Sequence, residues 1–265
     1  MNNFQQRFGG IERLYGQKLA NIFQQSHVTV VGIGGVGSWA VEALARTGFG
    51  YINLIDFDDV SSSNINRQVH SLTETIDRSK VEVMQERILS INPDCKVTII
   101  DDRISSTNSE KFFDKNTGLL KTTQYVIDAI DTVKPKTALL AYCHRHKIPI
   151  IATGAAGGLT DPTQITFADL SKTTNDALAA KVRYNLRSNY NFSRNIKKRF
   201  AIECVYSTEQ ISYPQEDGSV SHQKPKGETL DCETGYGSSS CVTSVFGFVA
   251  VTRVIEKIIQ QHSKN

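Results

Sequence analysis

Four glycines between positions 32 and 37 are the first residues whose type and spacing indicate a chemical role. They follow the β-branched segment 28–31 and precede a helical pattern, in the order Gly32, Gly34, Gly35 and Gly37. Glycines at such a turn let the backbone approach phosphates closely, and the N-terminus of the next helix offers N–H donors to negative charge. The segment therefore predicts a phosphate-binding turn rather than a turn that binds nothing. A dinucleotide and ATP would both use it.

Carboxylates at the end of the next predicted strand help to distinguish these two nucleotides. Asp56 occupies the position of a ribose hydroxyl acceptor in a dinucleotide-binding unit. A ribose needs one carboxylate, but Asp58 and Asp59 follow Asp56 closely, before a loop that contains Asn64 and Asn66. The additional acids and amides favour ATP over a nicotinamide cofactor.

Two cations and a further acid complete this group of candidate residues. Arg67 and Lys80 could neutralise a triphosphate, and Asp131, which closes a later strand, could hold Mg²⁺ through hard oxygen ligands. Each of the three could instead form a surface ion pair without a functional role. Their combination at one sheet edge favours an enzyme that uses ATP over a nicotinamide-dependent oxidoreductase.

A basic segment over residues 181–200 indicates a second kind of partner. It contains no acid, and Tyr184, Tyr190, Phe192 and Phe200 alternate with its cations. Cations contact a phosphate backbone and aromatic faces stack on unpaired bases, so the segment is typical of proteins that hold single-stranded RNA. The alternative is a solvated helix face followed by a loop. The cations are Lys181, Arg183, Arg187, Arg194, Lys197, Lys198 and Arg199.

Composition narrows the class of protein without naming a partner. The chain has 265 residues, a length that suits one large core. Its net charge of +3 is too small to identify a ligand. The N-terminal segment lacks the apolar run of a signal peptide, which predicts a cytoplasmic protein. No pair of cysteines forms C-x-x-C, so neither a zinc site nor a disulfide framework is expected. The cysteines are Cys95, Cys143, Cys204, Cys232 and Cys241, the last expected in the core.

The apolar segment 239–259 needs separate consideration, because a membrane span requires roughly 20 predominantly apolar residues. The segment carries several hydroxyl groups and then Arg253, Glu256 and Lys257. We therefore predict a buried C-terminal helix and no membrane span.

The candidate residues require a scaffold that brings them together. From Val28 to about residue 154, predicted strands alternate with predicted helices, which indicates an α/β fold with a mostly parallel, Rossmann-like sheet and helices on both faces. Ligands in such sheets bind at the carboxyl ends of the strands, where segments 32–37, 56–58, 128–131 and 154–158 would meet. After about residue 160 the alternation fades, which predicts an antiparallel extension of the same sheet.

The motifs of the first 160 residues, taken together, resemble those of a known superfamily. They are G-x-G-G-x-G, D-x-D, N-x-N-R-Q, a lysine about a dozen residues later, and D-x-x-D at a strand end. The pattern resembles the ubiquitin-activating-enzyme-like superfamily, which includes the ThiF, MoeB and HesA proteins. That resemblance implies a single adenylating domain over 1–265 that uses ATP to activate a carboxylate.

A narrower resemblance covers nearly the whole chain. The segments "RFGGIERLYG", "GIGGVGSWAVEALARTGFG", "YVIDAID", "PKTALLAYC", "TGAAGG", "DPTQI", "LAAK" and "TSVFGFVAV" are similar to those of the tRNA threonylcarbamoyladenosine dehydratase branch. This branch implies ATP-dependent cyclisation of the modified adenosine in tRNA through an acyl-adenylate, with release of AMP and pyrophosphate. It divides the chain into a helical arm (1–27), a nucleotide-binding core (28–160) and an extension (161–265) that would bind the substrate tRNA and form the dimer.

The resemblance also implies roles for individual residues. The four glycines match the phosphate turn, Asp56 matches the ribose acceptor with Asp58 beside it, and Asp131 matches the Mg²⁺-associated acid. Asp128 would lie beside Asp131 in the nucleotide pocket. The phosphate-contacting set would be Asn66, Arg67, Gln68 and Lys80, and the catalytic set Arg13, Arg67, Lys80 and Asp131.

Further implications concern partners. The family suggests a homodimer in which an N-terminal arginine, Arg13 or alternatively Arg7, reaches the phosphates of the other copy. It also suggests a link to a cysteine desulfurase system, in which Cys232 could be a sulfur-relay contact, and a monovalent cation, Na⁺ or K⁺. Adenylation of the C-terminus of a ubiquitin-like sulfur carrier stays open as the alternative reaction, and a non-catalytic tRNA-binding protein as a further one.

Overall fold

The protein is described by a computed structural model, which covers residues 3–224 and 237–263. Its centre is a seven-stranded sheet in the order β3-β2-β1-β4-β5-β7-β6, and β8 and β9 form a separate hairpin. In the described part of the chain, the strands are His27–Val31 (β1), Tyr51–Asp56 (β2), Lys96–Asp101 (β3), Tyr125–Asp128 (β4), Ile150–Thr153 (β5), Ile165–Asp169 (β6), Glu203–Ser207 (β7), Tyr213–Pro214 (β8) and Val220–Ser221 (β9).

Helices cover both faces of this sheet and bury two separate apolar cores. One core joins Phe23, Met84 and Phe246 from α2, α4 and α8 to the strands, and the other joins Phe112 and Leu139 from α5 and α6. The α-helices of the described residues are Asn3–Tyr15 (α1), Gln17–Gln25 (α2), Gly37–Thr47 (α3), Lys80–Ile91 (α4), Ser109–Phe113 (α5), Val133–Arg145 (α6), Ala177–Asn189 (α7) and Ser240–His262 (α8).

The sheet confirms the predicted α/β class and refines its C-terminal part. Strands β3, β2, β1, β4 and β5 are parallel to one another, and β7 continues them by pairing in parallel with β5. Only β6, at the edge of the seven-stranded sheet, runs antiparallel, with Ile165 opposite Ser207. The antiparallel extension is therefore one edge strand, because the chain passes from β5 to the edge and returns through α7 to fill the gap.

Helix α8 is the buried C-terminal helix that the sequence predicts. It packs against α3, where Gly247 lies so close that an added Cβ would be 2.7 Å from the Val36 carbonyl oxygen. Among the described residues, no helix has the length and apolar character that crossing a membrane requires. Cys241 was expected in the core but is exposed, because it is the second residue of α8 and lies in the first turn of that helix.

Candidate active site

The glycine turn closes so tightly that two of its positions exclude a side chain. Gly32 has a φ of +87°, and a Cβ there would lie 2.8 Å from the Ala129 carbonyl oxygen. A Cβ on Gly37, the first residue of α3, would lie 1.7 Å from the Gly32 carbonyl oxygen. The backbone thus forms a cradle at the N-terminus of α3, where the N–H groups and helix dipole favour an anion.

Asp56 lies at the end of β2 and faces this cradle. Its Oδ2 accepts a hydrogen bond from the Ile33 N–H at 2.5 Å, and its Oδ1 accepts from the N–H groups of Phe57 and Asp58 at 2.8 and 3.0 Å. Burial raises the pKa of Asp56, although the charge of Lys80 and these backbone donors oppose the rise. The carboxylate is thereby held at the strand end where a ribose acceptor is expected.

Lys80 brings a cation to the same edge of the sheet. It is the first residue of α4, only 6% exposed, and its Nζ lies 2.9 Å from Oδ2 of the half-exposed Asp58. The buried ammonium group is therefore paired with a carboxylate that solvent can reach. An anion entering the cradle would meet a cation whose stem is already packed, which lowers the entropy lost on binding.

Arg67 is held over the glycine turn by both its backbone and its side chain. The methylene carbons of Arg67 lie 3.4 Å from a Cβ built on Gly35, and Nη1 donates to the Ser63 carbonyl at 2.7 Å. The Arg67 carbonyl accepts hydrogen bonds from Trp39 Nε1 at 3.0 Å and from Thr243 Oγ1 at 3.2 Å. The backbone of Arg67 is consequently held by α3 and by α8 together.

Asn66 and Gln68 flank this arginine in different environments. Asn66 is exposed; its Oδ1 accepts from Arg67 Nη1 at 3.0 Å and its Nδ2 donates to the Ser238 carbonyl at 3.0 Å. Gln68 is buried behind the turn, with Nε2 3.9 Å from a Cβ built on Gly34 and with Oε1 unpaired among the described residues. Asn66 thus links the loop to the chain before α8, and Gln68 supports the turn from behind.

The two acids of the D-x-x-D motif occupy contrasting environments. Asp131 is exposed in the loop after β4, where its Oδ1 accepts a hydrogen bond from Thr132. Asp128 is fully buried, and its Oδ2 lies 2.9 Å from Nζ of Lys136, which is also buried. Burial raises the pKa of Asp128, and Lys136 opposes that rise. Asp128 is therefore paired inside the protein, and its place beside the nucleotide stays a prediction.

Lys136 also explains how Asp131 is presented. Its Nζ donates to the Ile130 carbonyl at 2.9 Å and to the Asp128 carbonyl at 3.3 Å, in addition to its ion pair with the Asp128 carboxylate. One lysine of α6 thus fixes the loop that carries Asp131. The sequence offered no signal for this beyond a lysine soon after the motif, because a lysine is rarely buried.

The two N-terminal arginines differ in what they contact. Arg7 donates through Nη1 to the Ile91 carbonyl at 3.1 Å, at the C-terminal end of α4. That end lies at the amino edge of the sheet, opposite the glycine turn, and Phe8 in the same helix packs against Gly48. Arg13 is exposed, and no hydrogen bond or ion pair of its side chain is found in the described part of the chain. Neither arginine reaches the turn of its own chain.

Only part of the basic segment 181–200 is exposed to solvent. Phe192 and Phe200 are 9% and 2% exposed and belong to the second apolar core. They are therefore not available to stack on a base, contrary to the sequence-based expectation. Arg187 lies over the Phe200 ring, and Arg183 donates to Thr173. The exposed members are Lys181, Tyr184, Arg194, Lys197, Lys198 and Arg199, of which Arg199 lies 3.7 Å from the carboxylate of Asp169.

The remaining candidates contribute little to the geometry. Cys232 lies outside the described residues. Within the described ranges, no group of three or more His, Cys, Asp or Glu side chains could hold a metal ion. His70 follows the N-R-Q segment but is buried, and burial together with the charge of Lys80 lowers its pKa to about 3. It is therefore neutral at physiological pH.

Comparisons with known proteins agree over nearly the full length of the chain. A model described as the ThiF family matches residues 11–265. The tRNA threonylcarbamoyladenosine dehydratases of Escherichia coli and Haemophilus influenzae are each 49% identical, over 98% and 99% of this chain and 96% and 97% of their own. The E. coli enzyme has been solved in complex with ATP; it is 46% identical, covers 100% of this chain and 98% of its own, and superposes with a TM-score of 0.87.

Proposed function

The chain belongs to the ThiF family, whose model matches nearly all of it, and on that premise we propose that it catalyses ATP-dependent dehydration of threonylcarbamoyladenosine in tRNA. The observation that carries this proposal is the full-length 49% identity to two dehydratases of that name. The cradle at Gly32 and Gly37, with Arg67 and Lys80 beside it, supports ATP as the nucleotide, because a relative with the same fold binds ATP.

The first step is activation of the substrate carboxylate. A carboxylate oxygen attacks the α-phosphorus of ATP, the bond to the β-phosphate oxygen breaks, and pyrophosphate leaves. Charge accumulates on the phosphate oxygens, and preorganised cations and N–H donors stabilise such charge better than water does. The N-terminus of α3, Arg67 and Lys80 would supply these donors, and Asp56 would accept the ribose hydroxyl.

The second step is intramolecular. A nucleophilic atom of the carbamoyl side chain attacks the activated carbonyl carbon, the bond to AMP breaks, and the nucleophile loses its proton. The oxygen that leaves with AMP comes from the substrate carboxylate, so the nucleoside loses one water in total. An attacking group within the substrate has a high effective concentration, so no enzyme thioester is needed.

Mg²⁺ and the oligomeric state are further parts of the proposal. Mg²⁺ is held in many enzymes by one or two carboxylates together with substrate phosphates, and the exposed carboxylate of Asp131 meets that requirement. When bound, the ion would offset the charge of the departing pyrophosphate. Arg13 is exposed and does not reach its own glycine turn, which fits a homodimer in which it contacts the phosphates of the other copy.

The decisive experiment incubates the protein with ATP, Mg²⁺ and tRNA that bears threonylcarbamoyladenosine. We expect AMP, pyrophosphate and a nucleoside that has lost the mass of one water. A control reaction without ATP should leave the nucleoside unchanged. An unchanged nucleoside mass in the complete reaction, with the substrate shown to be present, would disprove the proposal.

Adenylation of a ubiquitin-like sulfur carrier is the second candidate reaction. It uses the same first step, since it also activates a carboxylate with ATP. The absence of C-x-x-C pairs in the sequence and the exposed lysines of the 181–200 segment favour tRNA over such a protein. Formation of an adduct between AMP and the carrier protein, without any change in the tRNA nucleoside, would support this second candidate.

The exposed lysines of the basic segment predict a salt-dependent affinity for tRNA. Reversal of Lys197 and Lys198 to glutamate should weaken tRNA binding about 10-fold or more and reduce the slope of log K against log salt by about 1.4, at about 0.7 per phosphate contact. Binding isotherms at several salt concentrations measure both quantities.

The matched control for this pair reverses Lys115 and Lys121, which are also exposed but lie near the amino ends of the strands. It should leave the slope unchanged. Equal losses in the two double variants would mean that net charge, and not this segment, determines tRNA affinity.

The intramolecular second step also makes a prediction for Cys232. Replacement by alanine should keep dehydration in vitro within about twofold of the unmodified protein, because cyclisation requires no thiol. Nucleoside mass measures the product. Complete loss of product with ATP binding retained would show instead that the thiol takes part in the reaction.

A further inference from the structure

A groove lies between the first turn of α6 and the middle of α7. It is beside the carboxyl edge of the sheet, where the glycine turn 32–37, Asp56 and Asp131 lie and which we call the nucleotide edge. The groove has a volume of about 480 Å³ and is lined by Val133, Lys134, Ala180, Lys181, Tyr184 and Asn185. Val133 is the first residue of α6 and follows Asp131 by two positions. One end of the groove therefore lies next to the acid expected to hold Mg²⁺.

The orientation of α7 is fixed relative to that edge. Asp176, the N-cap of α7, accepts a hydrogen bond from the Ala179 N–H at 2.8 Å and another from the Ala155 N–H at 3.0 Å, just after β5. Asp176 is buried, and its Oδ2 would lie 1.8 Å from a Cβ on Gly154. Helix α7 thus starts at the carboxyl ends of the strands, and Tyr184 lies about 12 Å along it, at 1.5 Å per residue.

Tyr184 gives the groove an aromatic wall that solvent can reach. It is 69% exposed, whereas Phe192 and Phe200 of the same basic segment are buried. No hydrogen bond or ring contact of Tyr184 is found in the described part of the chain, and its position on a regular helix keeps the ring beside the groove. An exposed ring of this kind can stack on the face of a base, irrespective of base identity.

The charges of the groove select the class of molecule that could fill it. Lys134 and Lys181 are both exposed on its walls, no acid is among its lining residues, and Lys197 and Lys198 continue the basic surface in the sequence. Apolar walls flanked by lysines complement a base with phosphates on either side.

We propose that this groove holds the unpaired adenine that carries the threonylcarbamoyl group, with Tyr184 stacked on the base and Lys134 and Lys181 on the adjacent phosphates. The inference rests on the proposed function, since it assigns the subsite for the same substrate. Between N6 of the adenine and the reacting carboxylate there are only a carbonyl, a nitrogen and the α-carbon. A base in the groove can therefore extend its carboxylate toward the nucleotide edge near Asp131.

Steady-state kinetics of Tyr184 variants test the stacking contact. Tyr184→Ala should raise KM for the modified tRNA by about 5- to 160-fold, the range of base–aromatic stacking, while Tyr184→Phe should stay within about twofold. The Kd for ATP should be unchanged in both. A KM for Tyr184→Ala equal to that of the unmodified protein would overturn the inference, as would an equal rise for Tyr184→Phe.

Photo-cross-linking tests the position of the base. A benzophenone amino acid in place of Tyr184 should cross-link to the modified adenosine or its immediate neighbours, and the same group in place of the exposed Leu119 should not. A cross-link elsewhere in the tRNA would disprove this subsite. The unmodified protein is assayed first for dehydration: no conversion would disprove the proposed function, whereas conversion without the Tyr184 effects would disprove the subsite alone.

Discussion

Replacement of Lys80 by methionine is expected to lower the rate of AMP formation by about 10²–10³-fold, the effect of removing one preorganised donor from a developing negative charge. Methionine has a similar unbranched shape, so it can fill the space of the lysine stem in the first turn of α4. The ion-pair partner, Asp58, is half exposed and would be solvated after the change. The protein should therefore stay folded while the rate falls.

A surface arginine provides the control for this experiment. Arg78 precedes Lys80 by two positions, and its side chain, which is 41% exposed, pairs with the exposed Glu86 at 2.6 Å. Exposed pairs contribute about 0–1 kcal/mol, so Arg78→Met should leave the rate within about twofold. Single-turnover AMP formation with saturating ATP and tRNA measures both variants, and circular dichroism checks their fold. A rate for the Lys80 variant close to that of the Arg78 variant would remove Lys80 from the catalytic set.

Substitution of Gly37 by alanine should abolish ATP binding and destabilise the fold by about 3 kcal/mol, the upper end of the cost of overpacking. The new Cβ would lie 1.7 Å from the Gly32 carbonyl oxygen, so the turn could not close. Gly32 cannot move away freely, because its own Cα lies against the Ala129 backbone. Urea unfolding and ATP titration measure the two effects.

Gly10 offers a matched comparison, since it is also a helical glycine. A Cβ at Gly10 would meet no atom within 4 Å. Gly10→Ala should therefore raise the free energy of unfolding by roughly 0.5–1 kcal/mol, the usual gain from alanine in a helix, and leave ATP affinity unchanged. Normal ATP binding by the Gly37 variant would show that the turn does not hold the phosphates.

The sequence predicted those parts of the site that depend on local pattern. The glycine turn, Asp56 at the end of β2 and Lys80 at the start of α4 lie where strand and helix periodicity place them, because parallel strands bring their carboxyl ends to one edge. The α/β class and the buried C-terminal helix follow from the same periodicity. These features require no knowledge of contacts between distant segments.

Contacts between distant side chains could not be predicted in this way. The burial of Asp128 depends on Lys136 meeting it across the β4–α6 turn, and a lysine in a sequence normally indicates a surface. The aromatic residues of segment 181–200 look equivalent in sequence, but Phe192 and Phe200 enter the core while Tyr184 does not. Only the path of the chain after α7 decides between these outcomes, and no local pattern encodes it.

The contact of α8 with the phosphate loop bears on how this enzyme can be divided. Asn66 and Ser238, 172 positions apart, are joined by a hydrogen bond, and the Thr243 hydroxyl holds the Arg67 carbonyl. The motifs of residues 28–160 therefore do not form a transferable module. A gene fragment that encoded residues 28–160 alone would keep the sequence motifs but would lose α8, which holds the backbone of Arg67. The nucleotide-binding motifs and the C-terminal helix must therefore stay together in one chain.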